Sequence, residues 1–348
     1  MPARRPRLDP RLRLAISLAL AVLLFWVLLS KVDAGEVVAT IAAMTWLELL
    51  SIAAVAVWDQ VAHWLLWVAV TPGLSLGRAA VLAESGTAVT NAVPGGSGIG
   101  IGLAYTMLDS WGFPRELATR AVLVSGLWNS FAKLGLPVLA LGLLLVSGHG
   151  GGGRLTLGLV ALALLAAAIA VLVLVLRGDR AAARVGLAGQ AAMNRLRALI
   201  RRPPVRGWDA AVVAFRASTA ELLTARLAWI TVAALVSQLS LYLVLLISLR
   251  HVGVGDETLS WVEVLAAFAS GRLVTMVRFT PGGAGVVEAV LIGGLVAAGG
   301  PAAPVTAAVL VFRALTWLLP VPIGALTWLG WRLGAGRRRP LEAGQAAR

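Results

Sequence analysis

The sequence contains no cysteine and only three histidines, and these absences exclude several classes of function. Without cysteine, the chain can form no disulfide bond, thiolate metal site or cysteine nucleophile. The histidines, at positions 63, 149 and 251, are too scattered to predict a metal cluster. No nucleotide-binding glycine loop, HExxH zinc motif or nucleophile elbow occurs either. We therefore predict a protein that is not an enzyme and that has no catalytic residue, metal or cofactor.

Charged residues are also scarce, since they make up 13% of the 348 residues whereas 59% are hydrophobic. This much apolar surface exceeds what a single soluble core can bury. A large soluble helical protein would show narrow apolar stripes, but here the apolar runs continue around the whole helix for about 20 residues. The composition therefore predicts an all-α polytopic membrane protein.

The net charge of +14 is the one feature that would suggest a nucleic-acid-binding protein. However, the arginines lie between the apolar runs and not on one basic face with interleaved aromatic residues. This placement is typical of the charges that keep loops on the cytoplasmic side of a membrane. We therefore predict membrane lipids, and not nucleic acid, as partners.

Six apolar segments are long enough to cross a bilayer as helices. The predicted spans are residues 12–30, 46–70, 118–147, 155–176, 226–249 and 304–332. The first follows an arginine-rich start and resembles a signal peptide, but no small-residue cleavage site follows it, so we expect a retained anchor. The tryptophans near span ends are typical of interfacial anchors.

Two further regions, 79–112 and 262–300, each contain a pair of shorter apolar pieces. The breaks within the pairs contain Pro94, Gly95 and Gly96 in the first region, and Pro281, Gly282, Gly283 and Gly285 in the second. Proline removes a backbone donor and glycine loosens the helix, so each chain segment should turn back there. The pattern predicts two re-entrant broken-helix hairpins hinged at these residues. The alternative is two full spans for each hairpin.

Charge predicts the orientation of the spans. Residues 1–13 carry five arginines and residues 177–226 carry ten, whereas the loops at 31–45 and 250–260 are slightly acidic. Positively charged loops remain in the cytoplasm, so both arginine-rich stretches and the C-terminal tail are predicted to lie there. We therefore expect a multi-pass protein of the cell (inner) membrane with both termini in the cytoplasm.

The two hairpin regions are similar in sequence. The segment that begins at Pro94 aligns without a gap to the segment that begins at Pro281, and Ser85-Gly86 also pairs with Ser270-Gly271. This similarity indicates a duplicated unit of span, broken hairpin and span, although Pro-Gly-Gly recurring by chance in a glycine-rich chain is the alternative. The single membrane domain, 1–348, would then contain a first unit (46–147), a connecting span with an arginine-rich loop (148–225), a second unit (226–332) and a tail (333–348).

One unpaired span lies between the two predicted units, so the second unit should enter the membrane from the opposite face. The predicted architecture is therefore about six transmembrane helices plus two re-entrant hairpins in an inverted repeat. Inverted repeats with broken helices are typical of transporters.

Charged residues within apolar segments are candidates for function, because they are costly in lipid unless they are paired or hydrated. The second hairpin contains most of them: Arg272 and Arg278 precede its break, Glu288 follows it, and Arg313 lies in the next span. Arginine can hold a phosphate through two hydrogen bonds, so the surplus of positive charge predicts a site for an anionic lipid headgroup. The alternative is a purely structural pair between Glu288 and Arg313.

The first unit contributes further polar residues. Asn129 and Lys133 are four residues apart on one helix face and should face the same cavity, unless Lys133 extends to the interface. Asn91 either contacts the headgroup or caps backbone groups that the break leaves unpaired. Asp59 and His63, also four apart, suggest either a proton-coupling site or, as the more ordinary interpretation, a structural hydrogen bond.

The stretches FTPGGAGVVEAVLIGG and VTAAVLVFRALTWLLP resemble the flippase-like family of membrane proteins named for the transmembrane domain of lysylphosphatidylglycerol synthases. In that family a Pro-Gly-Gly-x-Gly-x-x-Glu motif and a later arginine recur, and here Pro281 to Glu288 and Arg313 match them. The pattern Asn91-x-x-Pro94 matches the first hairpin motif, but many members follow it with charged residues, whereas this chain has none before Asp109. The resemblance implies movement of a lipid or lipid-linked molecule between leaflets.

We therefore expect a lipid flippase or transporter that shields an anionic or phosphate-bearing headgroup, or that of a lipid-linked precursor, while the tails remain in lipid. A second hypothesis is a non-catalytic accessory subunit of a lipid or glycolipid biosynthesis enzyme, with that enzyme or a further copy of the chain as partner. A third is an intramembrane transferase, which would need an acid and a base, such as Asp59 and His63, in one cavity with the hairpins.

Overall fold

A computed structural model describes residues 33–93, 96–146, 153–199, 202–276 and 280–334. All regular structure in these ranges is helical. Several predicted features lie outside the described residues, namely the span at 12–30, the hinge residues Pro94 and Gly95, the site residue Arg278 and nearly all of the tail at 333–348.

In each half of the chain, two short helices lie between two long helical segments. The first half contains α1 (Ala34–Ala42), α2 (Trp46–Val70), α3 (Leu76–Ala92), α4 (Gly96–Ser110) and α5 (Arg115–Val146). The connection contains α6 (Gly153–Arg177) and α7 (Asp179–Leu199). The second half contains α8 (Trp208–His251), α9 (Trp261–Val274), a 3-10 turn (Pro281–Gly283), α10 (Val286–Ala297), α11 (Ala302–Arg313), a π-helical turn (Ala314–Leu318) and α12 (Pro320–Leu333).

Within the described parts of the chain, five helical segments are long and apolar enough to cross a membrane: α2, α5, α6, α8 and the continuous segment from α11 to α12. They coincide with five of the six predicted spans, so the prediction of an all-α polytopic membrane protein is confirmed. The apolar side chains of α6 are mostly exposed, which is expected of a helix that lipid covers.

The two predicted hairpins are built from α3 with α4 and from α9 with α10. The four helices have 17, 15, 14 and 12 residues, fewer than the ~20 that a span requires. In the second hairpin the chain turns through Gly282, Gly283 and Gly285, whose φ angles are +56°, +73° and +80°. Residues with a side chain rarely adopt these angles, so three glycines in close succession allow the turn.

The stretch predicted as an arginine-rich loop is largely helical, which corrects the sequence interpretation. It contains α7 and the first turns of α8, which continue into the membrane span without a break. Alanine, leucine and arginine all favour helix, so a basic stretch of this composition need not be a loop. The Asn194 amide donates to the Val205 carbonyl at 3.0 Å and accepts from the Val205 N–H at 2.7 Å, which fixes the return of the chain.

The two halves pack against each other reciprocally. Helix α3 lies against α12, α9 lies against α5, and α2 lies along α8. Gly324 of α12 allows close contact with the backbone of α3, because a side chain there would overlap the Glu84 carbonyl. The first hairpin therefore contacts the last span of the second half, and the second hairpin contacts the last span of the first half.

Candidate functional site

A polar cavity of about 230 Å³ lies where the two hairpins meet the long helices. Asp59 and Lys133, near the middle of α2 and α5, both contribute to its wall, so the cavity lies at mid-height along these spans. The predicted site residues that line it are Asn91, Gly96, Asn129, Lys133, Arg272, Gly282, Gly283 and Arg313. The structure therefore brings together candidates from both predicted units.

The remaining predicted residues occupy other positions. Glu288 lies behind the wall and contacts Arg313, and Gly285 precedes the first turn of α10. Pro281 begins the 3-10 turn. Arg278, Pro94 and Gly95 are outside the described residues.

Arg313 is held firmly at the wall of the cavity. Its Nε donates to Glu288 Oε1 at 2.6 Å, and one terminal nitrogen donates to the Gly282 carbonyl at 3.2 Å. Its guanidinium also lies 5.0 Å from the centre of the Trp317 ring. Gly285, with a φ of +80°, precedes α10, and Glu288 in the first turn of that helix contacts Arg313 of α11. The alternative of a structural pair between Glu288 and Arg313 is therefore observed, and it ties the second hairpin to α11.

Arg272 is positioned differently, by a neutral amide. Its Nε donates to Gln238 Oε1 at 2.9 Å, and Gln238 Nε2 in turn donates to Asn129 Oδ1 at 2.9 Å. This chain of hydrogen bonds joins α9, α8 and α5. The two terminal nitrogens of Arg272 donate no hydrogen bond to any described residue, and the side chain lines the cavity. Arg272 thus directs a fork of N–H donors, which suits a bidentate anion, towards the open space.

Two further ionisable residues of α2, Asp59 and His63, line the same cavity. Asp59 is buried and its charge interacts with that of Arg272 on the facing helix α9. His63, one turn further along, is close to Arg272 and Lys133. Lys133 is 8% exposed, so it does not extend to the interface as the alternative for this residue required.

The hairpin tips meet at Asn91, Gly282 and Trp317. Asn91 Nδ2 donates to the Trp317 carbonyl at 3.0 Å, which lies in the π-helical turn. A side chain at Gly282 would overlap the Trp317 indole and approach Asn91 Oδ1. Asn91 therefore caps a backbone group, as one alternative expected, but the group belongs to the other half of the chain and not to its own hairpin.

Sequence reasoning missed two of these residues, Gln238 and Trp317. Gln238 is a polar residue within the apolar run of α8, and that isolation was the signal that could have identified it. Trp317 resembles an interfacial aromatic residue, although Pro320 and Pro322 just after it indicate a disturbed helix. A π-helical turn is often found at a functional position, and this one presents a carbonyl to Asn91.

Residues 14–324 match the protein-family model described as the lysylphosphatidylglycerol synthase TM region. No curated protein matches the chain significantly. The matched region includes both hairpins and every residue described above as lining the cavity.

Proposed function

Because the chain belongs to the family of lysylphosphatidylglycerol synthase transmembrane regions, we propose that it moves an anionic, phosphate-bearing lipid between the two leaflets of the membrane. The observation that carries the proposal is Arg272, whose terminal N–H groups face a polar cavity between apolar spans. A guanidinium in this setting attracts an anion strongly, since little water competes with it.

The charges around the cavity support an anionic ligand. Arg313 and Glu288 neutralise each other through their hydrogen-bonded pair. Among the described lining residues, the wall otherwise carries Arg272 and Lys133 against Asp59, which is a formal surplus of one positive charge. This surplus attracts an anion such as a lipid phosphate.

The volume of the cavity suits a headgroup and not a whole lipid. At ~30 Å³ for each water molecule, 230 Å³ corresponds to about eight waters. A phosphate and a small attached group fit in this space, but acyl chains that extend through half of a ~30 Å hydrocarbon core do not. The tails would therefore remain in lipid while the headgroup crosses inside the protein.

The contacts at the hairpin tips suggest how access could alternate. Among the described residues at the tips, the halves meet through the hydrogen bond from Asn91 to Trp317, and a bond that contributes ~1 kcal/mol opens readily. The buried Arg313 pair is far more costly to break, at about 3–5 kcal/mol when one partner is lost. The second hairpin and α11 would therefore move together, past the tip of the first hairpin.

An exchange assay tests this proposal. Vesicles that contain the purified protein and a fluorescent phosphatidylglycerol are treated with an impermeant quencher, which reports how fast lipid in the inner leaflet reaches the outer leaflet. We expect faster exchange than in protein-free vesicles, loss of the increase in Arg272→Gln, and normal exchange in Arg180→Gln, which changes an exposed arginine of α7. Equal rates with and without protein would refute the proposal.

An intramembrane transferase is a second candidate, because Asp59 and His63 line one cavity together with both hairpins. It would modify the headgroup chemically, so mass spectrometry of the lipids after incubation distinguishes the two activities. An accessory role for a biosynthetic enzyme would instead be recognised by a stoichiometric enzyme partner after purification and by the absence of lipid exchange from the protein alone.

A further inference from the structure

We propose that Asp59 takes up one proton whenever an anionic headgroup enters the cavity, so that lipid movement is coupled to a proton gradient. The inference rests on the proposed function and adds its energy source. It depends on the position of a buried carboxylate on the wall of the cavity, opposite the arginine assigned to the headgroup.

Asp59 is well placed to exchange a proton with the cavity. The residue is 7% exposed, it lines the cavity, and within the described ranges no donor makes a hydrogen bond to its carboxylate. Its main charged neighbour is Arg272 on α9. The Asp59 carboxylate therefore interacts electrostatically with Arg272, but without the direct hydrogen bonds that fix Glu288 to Arg313.

Other ionisable groups near Asp59 lie on several different helices. Lys133 of α5 lines the same cavity, and His63 lies one turn along α2. Glu84 of α3 is buried nearby and accepts a 2.7 Å hydrogen bond from Trp64 Nε1. Arg313 of α11 is neutralised by Glu288 of α10. Among the described lining residues, Asp59 is thus the acidic one that borders the space an anion would occupy.

An entering phosphate changes this balance, because the phosphate and the Asp59 carboxylate, both negatively charged, would then lie close together in a region of low dielectric. Like charges so close repel strongly there, and neutralising one of them removes the repulsion. A proton on Asp59 achieves this, whereas a proton on His63 would add a positive charge beside Arg272 and Lys133. Each ligand therefore strengthens the binding of the other, as reciprocal linkage requires.

The coupling also balances charge across the membrane. A lipid with one negative charge and a proton on Asp59 cross together as a neutral pair, so the membrane potential does not oppose the step. The proton enters Asp59 from the more acidic side, and Asp59 releases it after the cavity opens to the other side. Lipid should then accumulate in the leaflet that faces the more alkaline compartment.

A binding experiment tests the linkage. Phosphatidylglycerol is suitable because its phosphodiester keeps one negative charge between pH 5 and 8, a range over which the affinity of the purified protein should fall as pH rises, by up to about tenfold per pH unit. Asp59→Asn should bind equally well throughout that range. Asp109→Asn removes an exposed carboxylate outside the cavity and should retain the normal pH dependence, as should His63→Gln. A wild-type affinity that does not change with pH would overturn the inference.

A transport experiment separates this inference from the proposed function. In vesicles with an imposed pH gradient, the wild-type protein should enrich phosphatidylglycerol in the leaflet on the alkaline side, whereas Asp59→Asn should exchange it without enrichment. If the wild-type protein exchanges lipid but never enriches it, proton coupling is wrong and the flippase proposal stands. If it exchanges no lipid at any pH, the flippase proposal itself fails.

Discussion

Arg313 Nε and Glu288 Oε1 are joined by a 2.6 Å hydrogen bond between α11 and the start of α10, and both side chains are almost completely buried. The pair is an ion pair between the second hairpin and the span that follows it. Since Glu288 Oε2 is buried with no hydrogen-bond partner in the described structure, Arg313 provides the compensation for this carboxylate.

We expect Glu288→Ala to lower the free energy of unfolding by about 3–5 kcal/mol, because it leaves the Arg313 guanidinium buried without its counter-charge. Glu288→Gln should cost less, since the amide oxygen can still accept from Arg313 Nε. Thermal unfolding of the purified protein in detergent measures both. A Glu288→Ala variant as stable as the wild type would contradict this structural role.

A second prediction concerns Gln238, which positions Arg272 without reaching the ligand itself. Gln238→Ala removes the acceptor of Arg272 Nε and the donor to Asn129. Loss of these hydrogen bonds should weaken the binding free energy of the headgroup by ~1–1.5 kcal/mol, which lowers the affinity about tenfold. The exchange rate at saturating lipid should change little, because the guanidinium remains. Exchange rates measured over a range of lipid concentrations separate the two effects. A loss of maximal rate with unchanged affinity would argue against a positioning role.

The hydrophobic pattern predicted most of the fold, because lipid imposes a simple rule on length and polarity. The spans now observed as α5 and α6 begin and end within three residues of their predicted limits. The rule fails outside the lipid, where α7 and the start of α8 form helices that no apolar run marks. There, helix propensity and the local hydrogen bonds of Asn194 determine the structure.

The site was less predictable than the fold. Arg272, Lys133 and Asp59 were recognisable because charges are rare in apolar segments. The different roles of Arg272 and Arg313 could not be recognised from the sequence, because they depend on the hydrogen-bond acceptor of each guanidinium. This acceptor is an amide of α8 for Arg272 and a carboxylate of α10 for Arg313. Such neighbours are far apart in the sequence and come together only in the packed helices.

A third prediction concerns Gly282 at the tip of the second hairpin. Gly282→Ala combines a φ of +56°, which costs a residue with a side chain about 1–2 kcal/mol, with overlap between the new methyl group and the Trp317 indole. We expect lower thermal stability and slower lipid exchange. The matched control is Gly102→Ala on α4, where nothing lies within 4 Å of the added methyl group, so stability should be unchanged or slightly higher. If the two substitutions changed stability and lipid exchange equally, the contact between Gly282 and Trp317 would not be important for either property.

The last prediction tests the orientation on which the inverted repeat depends. The chain lacks cysteine, so single cysteines can be labelled without background. Glu36, Glu257 and Ala191 are exposed, the first before α2, the second between α8 and α9, and the third on the basic helix α7.

In intact inner-membrane vesicles whose cytoplasmic face points outward, an impermeant maleimide should label Ala191→Cys, but should label Glu36→Cys and Glu257→Cys only after permeabilisation. The positive charge around α7 is the physical reason, because arginine-rich connections remain in the cytoplasm. If Glu36→Cys and Ala191→Cys react from the same side, an odd number of crossings does not separate them, and the two hairpins cannot enter from opposite faces as the transport proposal requires.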